Sequence, residues 1–180
     1  GCILSNVTTI MFVGQYFRTG MPLIQRTVTV AGDAVANPSN VVVPVGTKYY
    51  DLAEFCGGYT APPKKIIAGG PMMGIPLISL DVPVVKTSSA ILCMTKDEVA
   101  ACEETACINC GRCVSVCPEQ IVPSRLAKMA DHGVADEFEK WHGLECIECG
   151  SCSFACPAKR QLAQSIKTMK KQVLAAKRKK

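Results

Sequence analysis

The chain is 180 residues long, 48% apolar and 19% charged, with a formal net charge of +5. That length suits one ordinary domain or two small ones, and the apolar share suffices for a core. No run of about 18 apolar residues occurs, so no membrane-spanning helix is expected; Val7 to Phe17 is too short for one and lacks the basic start of a secretory leader.

Asn6 is placed to cap a first helix with Val7, Ile10, Met11 and Gly14 on one face, and Gly20 to stop it. Alternation in LIQRTVTVAGDAV predicts a strand with Val28 and Val30 on one side. Asn37-Pro38-Ser39-Asn40 then reads as a turn, and VVVPVG as a second strand that Pro44 marks as an edge or an end. TKYYDLAEFCGG predicts a short helix capped by Thr47 and stopped by Gly57-Gly58. KKIIAGG predicts a third strand and VPVVKTSSAILC one or two more. A hairpin, a short helix and further strands over residues 22–94 make the pattern of a β-grasp (SLBB-like) module. Strand signals stop at Thr95: TKDEVAACEET, PSRLAKMADHG and VADEFEKW predict short helices, and Lys159 onward a longer one. The expected fold class is α+β, with residues 95–180 forming a helical domain and residues 1–21 standing ahead of both.

Among those helices one pattern occurs twice, CINCGRCVSVCP from Cys107 and CIECGSCSFACP from Cys146, each spaced C-x2-C-x2-C-x3-C-P. Three thiolates so set can clasp a [4Fe–4S] cube, and the fourth cysteine of such a run serves the other cube. Two [4Fe–4S] clusters are therefore expected. Cys107, Cys110, Cys113 and Cys156 would hold the first; Cys146, Cys149, Cys152 and Cys117 would hold the second. Gly111 and Gly150 free each loop to curl, and Pro118 and Pro157 turn the chain away afterwards. The competing reading is a pair of four-cysteine zinc sites, but those pair two C-x2–4-C hooks and need neither the third cysteine at this spacing nor the proline. Eight of the twelve cysteines used in this way point to a reducing, cytoplasmic setting and away from a disulfide framework.

The remaining candidates take plainer readings. Cys56 and Cys93 are expected to be core thiols, and Cys102 to pack, while Cys2 has no assigned role. His132 and His142 precede Gly133 and Gly143 and read as helix-end residues; Trp141 reads as a packing anchor between the clusters. GGPMMG, from Gly69, lacks the lysine and hydroxyl of a phosphate loop and reads as a turn whose methionines pack on a neighbour. Lys159 to Lys180 hold nine Lys or Arg and no acid, with Leu162, Ile166, Met169 and Val173 at helical spacing. A packed helix with a solvated basic end is expected. An anionic membrane surface or an acidic carrier protein ranks next as its partner, and no nucleic acid is expected because no aromatic interleaving accompanies the charge.

LSNVTT, GMPLIQRTVTVAG, EFCGG, GGPMMG, LDVPVVKTSSAIL and the two cysteine runs, in this order over nearly the whole chain, resemble the C subunit of the Rnf-type electron-transport complex. That family is similar to the flavin-bearing subunit of respiratory complex I, in which an Asn-Val-x-Thr stretch belongs to the flavin domain; Asn6, Val7 and Thr9 match it. The resemblance implies FMN-binding candidates at Asn6 and Thr9 only where a flavin domain precedes them. That domain, with its glycine-rich nucleotide loop, is not among these residues. The expectation is a C-terminal part of a longer polypeptide, or a shortened homologue, that alone binds neither FMN nor NADH. The resemblance further implies single-electron transfer at the periphery of a membrane-bound complex, with its other subunits as partners and ferredoxin or flavodoxin as candidate carriers. No acid–base pair or nucleophile marks an independent catalytic site. A cobalamin-reductase-type iron–sulfur flavoprotein subunit is the alternative within this chemistry, and a zinc-stabilised interaction module the alternative outside it.

Overall fold

The computed structural model describes residues 1–178, which form two compact units, the first Gly1–Lys96 and the second beginning at Asp97. In the first unit, helix α1 (Val7–Thr19) begins where the Asn6 side chain accepts the Thr8 N–H at 2.9 Å, and stops at Gly20 in the left-handed conformation. None of its residues is buried.

A five-stranded sheet follows, from β1 (Gln25–Ala31), β2 (Ser39–Pro44), β3 (Lys65–Ala68), β4 (Ile75–Pro76) and β5 (Ala90–Met94), in the order β2-β1-β5-β3-β4. Only the β1–β5 pair is parallel. The period-two alternation of β1 sends Val28 and Val30 into a core shared with Val43, Val84, Ile91 and Leu52 of helix α2 (Tyr49–Phe55). Ser88 is buried there, and its hydroxyl accepts from the Tyr49 hydroxyl and the Val85 N–H, both at 2.9 Å, so it carries no unsatisfied cost.

Of the one or two strands expected in VPVVKTSSAILC, one forms, β5; the stretch around Pro83 contributes only an isolated bridge to Lys48, since proline has no N–H to extend a ladder. Three expectations change. Thr47 does not cap α2: its hydroxyl donates to the Pro44 carbonyl at 2.9 Å, and the capping position falls to Lys48. The short strand β4 is added, its two residues being too few to show a period. Residues 95–105 form a turn at 98–101 and no helix. The Asp97 carboxylate accepts the Ala100 N–H at 3.2 Å as a helix cap would, but the turn it starts goes no further.

The second unit contains α3 (Arg112–Ser115), α4 (Pro123–Asp131), α5 (Ala135–Lys140), a short 3-10 turn (Gly143–Glu145), α6 (Ser151–Phe154) and α7 (Leu162–Arg178). Leu162, Ile166, Met169 and Val173 are buried as their spacing predicts, packing with Leu126, Phe138 and the cysteines Cys113 and Cys152. The cysteine loops are thus part of this unit's core. With every strand in the first unit and only helices in the second, the chain as a whole is α+β.

Candidate metal centres

The two cysteine runs fold alike to the level of single dihedrals, with an offset of 39 residues as from Cys107 to Cys146. Asn109 and Glu148 lie in the left-handed region at φ 55° and 58°, Gly111 and Gly150 at 75° and 80°, and Gln120 and Lys159 at 54° and 55°. Side chains with a Cβ rarely adopt that region, so its repetition at matched positions marks a shape both loops must take. After each glycine comes one helical turn, α3 or α6. Its bonds repeat too: Val114 N–H to Gly111 carbonyl at 2.9 Å, Ser153 N–H to Gly150 carbonyl at 3.1 Å. The matching extends past the cysteines, since α4 starts at Pro123 and α7 at Leu162.

Each loop curls round a cavity. Cys107, Cys110 and Cys113 line the first together with Cys156 of the other run. Cys146, Cys149 and Cys152 line the second together with Cys117. Among the described residues no three or more His, Cys, Asp or Glu converge on a point that would hold a single metal ion. Four thiolates lining each cavity are the donor set that a [4Fe–4S] cube takes.

The surroundings differ. At the second site, burial pushes the Cys152 thiol up to about 11 and raises that of Cys146, whose sulfur also accepts the Glu148 N–H at 3.4 Å. Loading metal there must therefore release protons. Lys170 donates to the Cys146 carbonyl at 2.6 Å, and Lys167 pairs with Glu148 at 3.4 Å. At the first site Cys107 and Cys110 are exposed, and Arg160 stands in the wall. The pairwise matching of Arg160 with Ile121, and of Asn109 with Glu148, is open to sequence reasoning once the offset is carried beyond the cysteines.

The other candidates are not gathered there. Asn6 and Thr9 lie exposed at the start of α1, with the Asn6 side chain engaged in its cap. Cys56 and Cys93 are buried, whereas Cys102, expected to pack, is exposed with its thiol 3.1 Å from the Glu98 carbonyl. Trp141 lines neither cysteine cavity; the Arg125 guanidinium stacks 3.7 Å from its ring centre. His132 ends α4, and His142 contacts Glu145 at 2.8 Å. Met72 and Met73 are exposed in their turn. Lys179 and Lys180 of the basic tail lie outside the described residues.

Residues 27–76 match the SLBB domain family, and residues 106–162 match the 4Fe-4S dicluster domain family. The C subunit of the proton-translocating ferredoxin:NAD(+) oxidoreductase complex of Clostridium ljungdahlii is 45% identical over 177 residues, 98% of this chain and 39% of that protein. Its counterpart in the Na(+)-translocating complex of Acetobacterium woodii is 41% identical over 179 residues, 99% of this chain and 40% of that protein. The corresponding subunit of an ion-translocating oxidoreductase complex of Methanosarcina acetivorans is 44% identical over 172 residues, 96% of this chain and 38% of that protein. The chain thus spans about two fifths of the length of these relatives. Through its SLBB and iron–sulfur dicluster portions, the chain belongs to the C-subunit family of Rnf-type electron-transport complexes.

Proposed function

We propose that this chain passes single electrons through two [4Fe–4S] cubes, as the peripheral electron-transfer part of a membrane-bound Rnf-type complex. The observation that carries the reading is the exchange of fourth cysteines: each cavity is lined by three cysteines of one run and the last cysteine of the other. Cys107, Cys110, Cys113 and Cys156 would hold one cube; Cys146, Cys149, Cys152 and Cys117 would hold the other. When bound, such clusters supply one-electron redox chemistry at potentials set by burial, charge and N–H···S bonds. The chain's own part is to hold the thiolates apart, to direct the Glu148 N–H at the Cys146 sulfur, and to exclude water from the second site.

The names of the relatives supply the assembly: each is a subunit of an ion-translocating complex, two of them of ferredoxin:NAD(+) oxidoreductases. The partners proposed for this chain are accordingly other subunits of such a complex, at the cytoplasmic surface of the membrane. No helix among the described residues is long and apolar enough to cross it. FMN is assigned to a longer parent chain, with Asn6 and Thr9 the only residues here that would adjoin it; residues 1–21 are read as the end of that flavin domain.

Anaerobic reconstitution followed by iron and sulfide analysis tests the reading. About eight irons and eight acid-labile sulfides per chain are expected, with visible absorption bleached by dithionite. Four irons with both runs intact, or a colourless protein with stoichiometric zinc, overturns it.

A further inference from the structure

A wide cleft opens beside the first cysteine cavity, and Cys107, Asn109, Ser124 and Arg160 line both. Its acids are already matched: Asp131 pairs with Arg160 at 3.2 Å and Glu137 with Lys140 at 3.0 Å. Two cations are not. Among the described residues, neither Lys128 nor Arg125 has a carboxylate within ion-pairing distance, and both are exposed on α4. Stacking on Trp141 fixes the Arg125 guanidinium in place, so little ordering entropy is left to lose on binding.

The second copy shows what these positions do when they serve the protein itself. Lys128 corresponds to Lys167, and Asn109 to Glu148. Lys167 pairs with Glu148, which lines the second site, and the helix that carries Lys167 lines that site with Ile166. In the first copy the loop residue is an amide, so Lys128 has nothing to close against. The first site remains open, with exposed Cys107 and Cys110 behind an uncompensated positive rim.

We propose that this cleft is the docking surface for the acidic, convex face of a one-electron carrier protein, and that electrons enter or leave this chain at the first cysteine site. The proposal rests on the two-cube reading above. The step is a single electron moving between the carrier's centre and the cube at Cys107, Cys110, Cys113 and Cys156; one partner is oxidised, the other reduced, and no bond forms or breaks. A flat bilayer does not follow a concave surface, so the cleft favours a protein over a lipid headgroup layer. Charge complementarity of this kind acts mainly on association rate and falls with salt.

The reconstituted full chain is mixed in stopped flow with a reduced acidic two-cluster ferredoxin as the anionic probe, and separately with reduced methyl viologen as a cationic one. Lys128→Glu reverses the free charge. Lys128→Gln removes that charge without reversing it. Lys128→Glu is expected to slow reduction by the ferredoxin about tenfold at low salt, Lys128→Gln by less, and both to flatten its salt dependence, while reduction by methyl viologen is undiminished. Unchanged ferredoxin rates in both variants, with methyl viologen still reducing them, overturn the docking surface. Binding of the wild-type chain to anionic vesicles that Lys128→Glu abolishes reassigns the cleft to lipid and also overturns it. Failure of the chain to take up about eight irons and eight sulfides overturns the two-cube reading itself, whatever the rates.

Discussion

Arg160 occupies, in the wall of the first cysteine cavity, the place that Ile121 occupies in the wall of the second. A guanidinium beside a cluster stabilises its more negative, reduced state, and a solvent-open site does the same; a buried isoleucine does neither. Arg160 is therefore expected to hold the cube at the first site at a higher potential than an isoleucine there would. Arg160→Ile should lower it by about 59 mV, a tenfold change for one electron, since the variant also leaves Asp131 without its cation. An EPR-monitored redox titration checks this, and an unchanged or raised potential at the first site refutes it.

Cross-ligation makes a sharper demand. Cys117 lies in the first run but borders the second cavity, so Cys117→Ala should alter the EPR signature of the cube at Cys146, Cys149 and Cys152. Cys156→Ala should alter the other. If each variant instead perturbs the cube of its own run, the pairing is wrong.

Legibility in the sequence follows the range of the interactions. Val28, Val30, Leu162 and Ile166 announce their burial because period and neighbours alone decide it. The cysteine spacing likewise encodes a loop that local backbone geometry can close. Residues 95–105 mislead because the fate of that segment is tertiary: the Thr95 N–H bonds to Asp33 at 2.8 Å, and the Thr105 N–H to the Ala158 carbonyl at 3.0 Å. Neither partner is near in sequence. Arg160 and Lys170 escape notice for another reason, since a basic tail reads as solvated until a specific acceptor, such as the Cys146 carbonyl, is seen beneath it.

The bond between Asp33 and Thr95 gives the first unit a pH dependence. The Asp33 carboxylate accepts both the Thr95 N–H and its hydroxyl, and these bonds hold its pKa below the ordinary 3.8. The unfolded chain therefore takes up this proton at a higher pH than the folded chain does. The contribution is complete above the ordinary carboxylate range and is lost as pH falls through the lowered folded value. Asp33→Ala should reduce the urea midpoint of the full chain at pH 7, and the difference from wild type should shrink below pH 3.8. A deficit that stays constant, or grows, on acidification would show that the carboxylate charge is not what matters.

The basic end of α7 separates into two sets of cations with different expected effects. Lys170 is bonded to the Cys146 carbonyl and Lys167 to Glu148, so both belong to the second cysteine site; Lys177 is held by Glu139 at 2.5 Å. Lys171 and Arg178 are exposed, and no ion pair engages them among the described residues. The buried stripe Leu162–Val173 fixes the helix, so these two face outward whatever the solvent. A lysine or arginine near an anionic membrane contributes about 1 kcal/mol, fading over a Debye length of roughly 8 Å at physiological salt. Two such residues support only weak, salt-reversible attachment. Vesicle flotation should show binding of the wild-type chain to anionic but not neutral lipid at low salt, reduced in the Lys171→Gln, Arg178→Gln double variant with cluster spectra unchanged. Lys170→Gln should behave in the opposite way, perturbing the second cube while leaving flotation nearly intact. Equal binding to neutral and anionic vesicles would leave the tail as a solvated helix end, and an unperturbed second cube in Lys170→Gln would remove that lysine from the site.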